Sequence, residues 1–539
     1  MIKECETAAR RLADYLASNI HLGRFPWDSY YGEALSLWLF ADIGIHNDKQ
    51  EELLDKVISE LNDAESKFSF EFINLGLYKY FEITGDYRIK PYLQYPRYLG
   101  TKVCNWGLLR LLDKIMEAKI NNKILSFKHF LTRSKCLLLL KIMQMDYGLI
   151  KDDPFLFDMF PLQRATKSRS LQYHAFSLFL LYHIWKETGW SFVKNAFCRG
   201  AEFASNFVLS NGDSAYIGRG LEQVKGYACL LFSLTAACCL DVQNCMKAAE
   251  KVFSYLISFQ RKDGSFPLVL NGKEMRTPEK ADVRDSSITG WYSYNTVADY
   301  LPLVGVCLFE TAKLLAEKKL EAELPEGEEV NLKMFGEDFA IWRNNKYEAV
   351  LSKPGGDWTN DLPIPYLCVK NNSLLPCYGG EEYHGSFYSK EMIPLPYYIN
   401  SAGTIVFIRD LVRYRLCKKS QNAVTILGQG FGAEHLRDII FLDSCIEIND
   451  SVKLEKPLSV TLETIYPFVI FGFSAKILKG NRILLSNENE SVEVEIDGIE
   501  GKLEVFDAYC ARGKLVGIRE VVKASDIFKW KRHYKLLLT

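Results

Sequence analysis

From residue 3 to about residue 318, apolar residues recur at intervals of three and four, and Gly, Pro and Asn cut the pattern into helix-sized pieces. The spacing predicts helices over roughly 3–20, 30–45, 49–62, 66–83, 105–119, 126–145, 170–188, 191–209, 219–240, 243–259 and 292–317. Helices arriving in hairpin succession bury their apolar faces by pairing. A toroid of about five or six pairs is the closed form of such a chain and a solenoid the open one, although no strict repeat is present.

Around Lys318-Lys-Leu-Glu-Ala-Glu-Leu-Pro-Glu-Gly-Glu-Glu329 the composition turns acidic, and beyond it the apolar period changes from 3.6 to 2. This sets a domain boundary near residue 325, with 1–324 helical and 325–539 built of strands. Runs rich in β-branched and aromatic residues begin at Phe339, Tyr347, Gly403, Asp438, Ser459 and Ser491, and turn residues follow most of them closely. The expected second domain is an antiparallel β-sandwich stacked on the end of the helical ring.

A length of 539 residues allows two to four domains, of which the pattern supports two. Net charge is -1, and Lys and Arg are scattered, so no basic face for nucleic acid is predicted. The 29 Tyr and 9 Trp are mostly core material, and they also offer flat apolar faces of the kind a carbohydrate site needs. Fourteen cysteines lack any CxxC pair, and Cys136, Cys229, Cys238, Cys239 and Cys307 fall in apolar helical runs, where they read as reduced core residues. The first residues carry acids and no apolar signal core, and no apolar stretch reaches 18 residues, so a cytoplasmic protein without a membrane span is expected. The eight histidines are scattered, with neither HExxH nor GxSxG, so no metal, cofactor or nucleophilic serine is predicted.

Polar clusters in loops of the helical region are the candidate chemistry. Tyr173 and His174 stand where a Pro-bearing loop with Arg164, Lys167 and Arg169 enters a strongly apolar helix. A phenol and an imidazole are proton-transfer groups; equally, a Tyr and a buried, hydrogen-bonded His suit a helix start. Adjacent residues diverge by about 100° around a helix, so the two are not expected to face one cleft equally. Asn105 opens the helix Asn105-Trp-Gly-Leu-Leu-Arg110 as a ligand or as an N-cap. Gly218-Arg-Gly-Leu-Glu-Gln223 places Arg219 and Gln223 at an anion-facing helix start or a plain turn. Trp291, Tyr294 and Asn295 form a stacking platform or a piece of core, and Trp27 with Asp28 forms a similar loop.

An Asn-x-Gly helix start, a later Tyr-His helix start and the His-bearing turn Glu381-Glu-Tyr-His-Gly-Ser-Phe-Tyr388 together resemble the heparinase II/III-like polysaccharide lyases, relatives of the alginate lyases. The resemblance covers most of the chain as architecture and implies an incomplete (α/α) toroid followed by an antiparallel β-sandwich. It implies β-elimination on uronic-acid-containing oligosaccharides or polysaccharides, with imported fragments the substrate of a cytoplasmic enzyme. By the same likeness, Asn105 would bind the uronate carboxyl group, Tyr173 would be the catalytic phenol, and His384 would be lowered into the cleft by the β domain. One position departs: where many members have His after the Asn, this chain has Trp106, which leaves His174 or His384 to take that role.

The residue types suit that chemistry on their own terms. A weakly acidic C5 proton requires pre-set donors around the carboxylate, and Asn105, Arg169 and Arg219 qualify. A phenol, whose ordinary pKa is about 10, needs a cationic field such as Arg164, Lys167 and Arg169 would supply. Three other readings stay open. The first is an α/α-toroid glycoside hydrolase of the unsaturated uronyl type, using two carboxylates from Asp28, Asp213, Asp285 and Asp299. The others are a uronate C5-epimerase and a non-catalytic glycan-binding protein.

Overall fold

The computed structural model describes residues 1–62, 69–93, 104–122, 127–152, 169–215, 217, 223–268, 270, 296–318, 332–354, 364–369, 372–375, 397–399, 405–407, 411–470, 474–478, 482–486, 491–497, 502–510 and 513–538. Its helices are α1 (Ile2–Ser18), α2 (Gly32–Ile43), α3 (Asp48–Asn62), α4 (Phe70–Thr84), α5 (Cys104–Ile120), α6 (Phe127–Met143), α7 (Leu171–Thr188), α8 (Ser191–Ser205), α9 (Val224–Cys238), α10 (Cys245–Ile257) and α11 (Val297–Lys318).

Apolar patterning sorts them into two layers. In α10 the buried residues form one stripe, Cys245, Ala248, Ala249, Val252, Phe253 and Leu256, as a helix with one solvated face requires. In α7 every residue from Leu171 to Ile184 is buried, and in α9 every residue from Val224 to Ala237, so these helices are covered on all sides. The covered helices close a ring: α2 packs on α4, α4 on α5, α5 on α7, α7 on α9, α9 on α11, and α11 back on α2. Outside it lie α1, α3, α6, α8 and α10. Between α4 and α5 the described outer layer holds only a 3-10 turn, Tyr87–Tyr92, so the (α/α) toroid is incomplete.

The ring is drawn shut by specific contacts. A Cβ on Gly32 would lie 1.8 Å from the Ala298 carbonyl oxygen, so only glycine permits α2 and α11 to approach this closely. The Asp299 carboxylate on α11 accepts the amides of Tyr30, Tyr31 and Gly32 at 2.8–3.2 Å, capping the start of α2.

Two antiparallel sheets follow. The first, in sequence order, has β1 (Leu332–Phe335), β2 (Phe339–Arg343), β3 (Tyr347–Ser352), β4 (Tyr366–Val369) and β5 (Asn372–Leu375). The second uses β6 (Tyr397–Ile399), β7 (Ile405–Phe407), β8 (Arg413–Ser420), β9 (Ala423–Gly430), β10 (Ala433–Phe441), β11 (Cys445–Ile470), β12 (Ser474–Ile477), β13 (Arg482–Ser486), β14 (Ser491–Asp497), β15 (Lys502–Cys510) and β16 (Gly513–Leu538). Its order is β12-β13-β14-β16-β11-β10-β9-β8, with β6 and β7 alongside β11 and β15 on β16. Trp342 of β2 stacks on Phe441 of β10 with centroids 5.2 Å apart, joining sheet to sheet. Inside the second sheet a buried network links Tyr414, His435, Asp450 and Arg437; His435 Nε2 is 2.6 Å and Arg437 Nη2 2.9 Å from the carboxylate.

The first sheet sits against the ring. Phe335 and Phe339 pack on Phe203 and Phe207 at the end of α8, with centroids 5.3–6.1 Å apart. Arg343 donates to the carbonyls of Asn206 and Val208. The predicted boundary at 324/325 lies in residues 319–331, outside the described residues. Among the described helices none is long and apolar enough to cross a membrane.

Candidate active site

The described inner helices all begin at one end of the ring, and the first sheet sits at that end. Aromatic contacts run across this mouth. Tyr31, before α2, stacks on Phe72 of α4 at 4.3 Å; Phe72 meets Trp106 of α5 at 5.4 Å and Phe176 of α7 at 5.6 Å. From Phe176 the path continues to Lys225 of α9, whose ammonium lies 5.3 Å from that ring, 5.6 Å from Tyr173 and 4.3 Å from Tyr300 of α11. Asn105 and Tyr173, 68 residues apart in the numbering, thus start neighbouring inner helices at the same opening.

Tyr173 is held by the helix start itself. Ser170 is the N-cap of α7, its hydroxyl accepting the Tyr173 amide at 3.2 Å, and the Tyr173 side chain is 5% exposed. Asn105 is buried, and its side-chain oxygen accepts the Trp106 amide at 2.7 Å. The amide of Cys104, one residue earlier, donates to the Asp152 carbonyl at 2.7 Å, tying α5 to the loop that leads toward α7.

His174 contacts backbone through both ring nitrogens. Its Nδ1 accepts the Ile150 amide and its Nε2 contacts the Gly200 carbonyl, both at 3.0 Å, so both ring nitrogens are spent on backbone. Burial pushes its pKa down to about 4, which leaves a neutral imidazole bracing α7 against α8. Arg169 is likewise committed: its Nε lies 2.9 Å from Asp338 at the start of β2, an anion shared with Lys353 at 2.8 Å and the Tyr147 hydroxyl at 2.7 Å. Arg169 therefore joins ring to sheet. Both residues therefore make contacts within the fold, and their expected roles toward substrate stand as proposals.

Gln223 is the N-cap residue of α9, fully buried, and its side-chain oxygen accepts from Gln172 of α7 at 2.6 Å. Trp27 stacks on Tyr15 at 5.8 Å and Phe25 at 5.9 Å, half-buried against the outer helix α1. Of the carboxylates considered for hydrolysis, Asp299 is filled by the α2 amides. Asp213 is buried and accepts the Tyr227 hydroxyl at 2.6 Å, and Asp28 is exposed. His384, Arg219, Trp291, Tyr294, Asn295, Asp285, Arg164 and Lys167 lie outside the described residues. Among the described residues, no group of three or more His, Cys, Asp or Glu is placed to hold a metal ion.

Lys225 escaped the sequence reading, which looked for cations in the loops. The signal was there: it is the sole charged residue in Val224-Lys-Gly-Tyr-Ala-Cys-Leu-Leu-Phe-Ser-Leu-Thr-Ala-Ala-Cys238, and it stands in the first turn, where the helix dipole disfavours a cation.

No family model matches the chain, and no curated protein matches it. Among solved structures it is similar to a mutant of heparan sulfate lyase HepC from Pedobacter heparinus, at 10% identity over 98% of this chain and 82% of that one, TM-score 0.34. A glycosyl hydrolase family 88 structure from Bacteroides vulgatus matches at 12% identity over 58% of this chain and 99% of that one, TM-score 0.41. An unsaturated glucuronyl hydrolase specific for heparin matches at 14% identity over 58% and 97%, TM-score 0.42. Similarity at this level spans lyases and hydrolases and does not choose between them.

Proposed function

We propose that the protein is a lyase that cleaves uronic-acid-containing glycans by β-elimination at the mouth of the helical ring. The observation that carries the reading is the placement of the Tyr173 phenol in the first turn of α7, beside the buried ammonium of Lys225 and on the same opening as Asn105. A phenol gives up its proton near neutrality only when a cation or donors favour the phenolate, and a buried cation acts through a low dielectric.

In the proposed reaction Asn105 donates to the uronate carboxylate, which spreads the charge that builds as C5 loses its proton. Tyr173, as phenolate, takes that proton. The electron pair becomes the C4–C5 double bond while the C4–O bond breaks, and the phenol returns the proton to the departing oxygen. The products are an unsaturated uronate and a new hydroxyl on the other fragment. His384 would assist from the β domain. Two of the four carboxylates considered for hydrolysis serve as structural acceptors, which favours elimination over hydrolysis.

The test is incubation with a panel of uronate glycans, watching for new absorbance near the ultraviolet edge from the conjugated product. Tyr173→Phe should abolish that signal, lowering turnover by roughly 100-fold or more, and leave the thermal unfolding midpoint nearly unchanged. New reducing ends without absorbance would make the protein a hydrolase. Exchange at C5 without cleavage would make it an epimerase, and binding without turnover would make it a glycan-binding protein.

A further inference from the structure

An outer helix of a ring buries one stripe and turns a polar face to water, and α3 does so, with Glu51, Glu52, Asp55 and Ser59 exposed. The outer helix α6, which packs on α5 and α8, departs from that rule. Its buried stripe is Thr132, Cys136, Leu140 and Met143. On its other side Leu131, Leu137, Leu138 and Ile142 are 39–59% exposed, and these four are half of the exposed Leu and Ile side chains among the described residues. Four on one helix form a patch, not the single scattered residues that any surface shows.

The charges on that side are all of one sign. At 100° per residue the four aliphatic side chains fall within an arc of about 140°, with Arg133 beyond one edge, Lys135 beyond the other and Lys141 inside it. All three cations are exposed, and they make no hydrogen bond or ion pair among the described residues. Between Glu117 and Asp146 the sequence holds no acid. An apolar arc edged by cations matches the boundary of an anionic bilayer, where acyl chains receive the aliphatic groups and headgroups the charges. A second copy of the chain would set these cations against their own equivalents across a two-fold contact. An acidic polymer would leave the aliphatic groups in water.

We propose that the outward face of α6 docks the protein on an anionic lipid surface. Leu131, Leu137, Leu138 and Ile142 enter the boundary between headgroups and acyl chains, and Arg133, Lys135 and Lys141 face the lipid anions. Because α6 lies on the outside of the ring, docking leaves the mouth at the ring's end accessible. Docking of this kind is independent of the reaction at the mouth.

The test is co-sedimentation of the full-length protein with vesicles of phosphatidylcholine alone and of phosphatidylcholine with about 30% phosphatidylserine. The protein should bind the mixed vesicles at least about 10-fold more tightly than the neutral ones, and the difference should shrink as salt is raised toward about 1 M. Two variants divide the face. Leu131→Ser with Leu138→Ser and Ile142→Ser removes aliphatic groups, and Arg133→Gln with Lys135→Gln and Lys141→Gln removes the charges. Each should weaken binding to the mixed vesicles by about 10-fold or more and leave the thermal midpoint nearly unchanged, since the altered side chains are exposed. If the serine variant does not fold, Leu138→Glu carries the same comparison. A protein that stays off both vesicles, binds them equally, or loses binding in only one of the two variants would overturn the assignment. A concentration-dependent dimer in sedimentation velocity that the serine variant abolishes would also overturn it and make the occupant a second copy.

Discussion

Asp338→Asn probes the joint between ring and sheet. The Asp338 carboxylate is 4% exposed and accepts from Arg169 at 2.9 Å, Lys353 at 2.8 Å and Tyr147 at 2.7 Å. Burial alone would raise its pKa, but the two cations and the hydroxyl outweigh burial and hold it down at about 2, against an ordinary 3.8. A folded-state value below the unfolded one means that the ionised group stabilises the fold above about pH 4, and that this stabilisation drains away as pH falls toward about 2. The difference corresponds to about 2 kcal/mol. At neutral pH the asparagine removes the anion that two buried cations share, a change that costs about 3–5 kcal/mol. Urea unfolding of both proteins across pH should therefore show a gap of that size at pH 7, shrinking by about 2 kcal/mol between about pH 4 and about pH 2. A gap below about 1 kcal/mol at pH 7, or one that is flat in pH, would refute the account of this joint.

Other consequences are equally direct. His174 should titrate near pH 4 by NMR in the folded protein; because its unfolded value is the higher one, its contribution to stability is full above about pH 6.5 and falls by about 3 kcal/mol as pH drops to about 4. A titration near neutrality would restore it as a catalytic candidate. Asp299→Ala strips the acceptor from the amides at the start of α2 and should cost about 2–4 kcal/mol, read as a lowered thermal midpoint. Asp113 is completely buried, its two oxygens have no partner among the described residues, and burial raises its pKa well above the ordinary range. Asp113→Leu should therefore raise stability at pH 7 by about 1 kcal/mol, and a loss of more than about 2 kcal/mol would show that the acid is used.

The succession of helices and then strands was legible because its causes are local. The eleven predicted helices match α1 to α11 with ends shifted by a few residues, since apolar periodicity and breakers such as Gly44, Gly85 and Gly189, each with positive φ beyond a helix, act over one or two turns. Runs rich in aromatic or β-branched residues, such as Phe339–Arg343 and Ser491–Asp497, were found. Arg413–Ser420, with four charged residues among eight, was not among the predicted strands, and it becomes one by pairing with β9. Asn105 and Tyr173 stood out as candidates because each opens a helix after a loop.

Sequence by itself determined the helical succession, the change of period near residue 325 and the residue types able to move protons or bind an acid. Tertiary structure alone decided which of those residues share an opening and which are spent on the fold. Arg169 meets Asp338, 169 residues later in the chain, and the two ring nitrogens of His174 meet Ile150 and Gly200, contacts that no local pattern announces. Lys225 shows the converse: the single charged residue of an apolar helix meets the rings of Tyr173, Phe176 and Tyr300 only when α7 and α11 pack beside it. The physical reason is that a side chain's chemistry is set by partners within a few ångströms, and those partners come from anywhere along the chain.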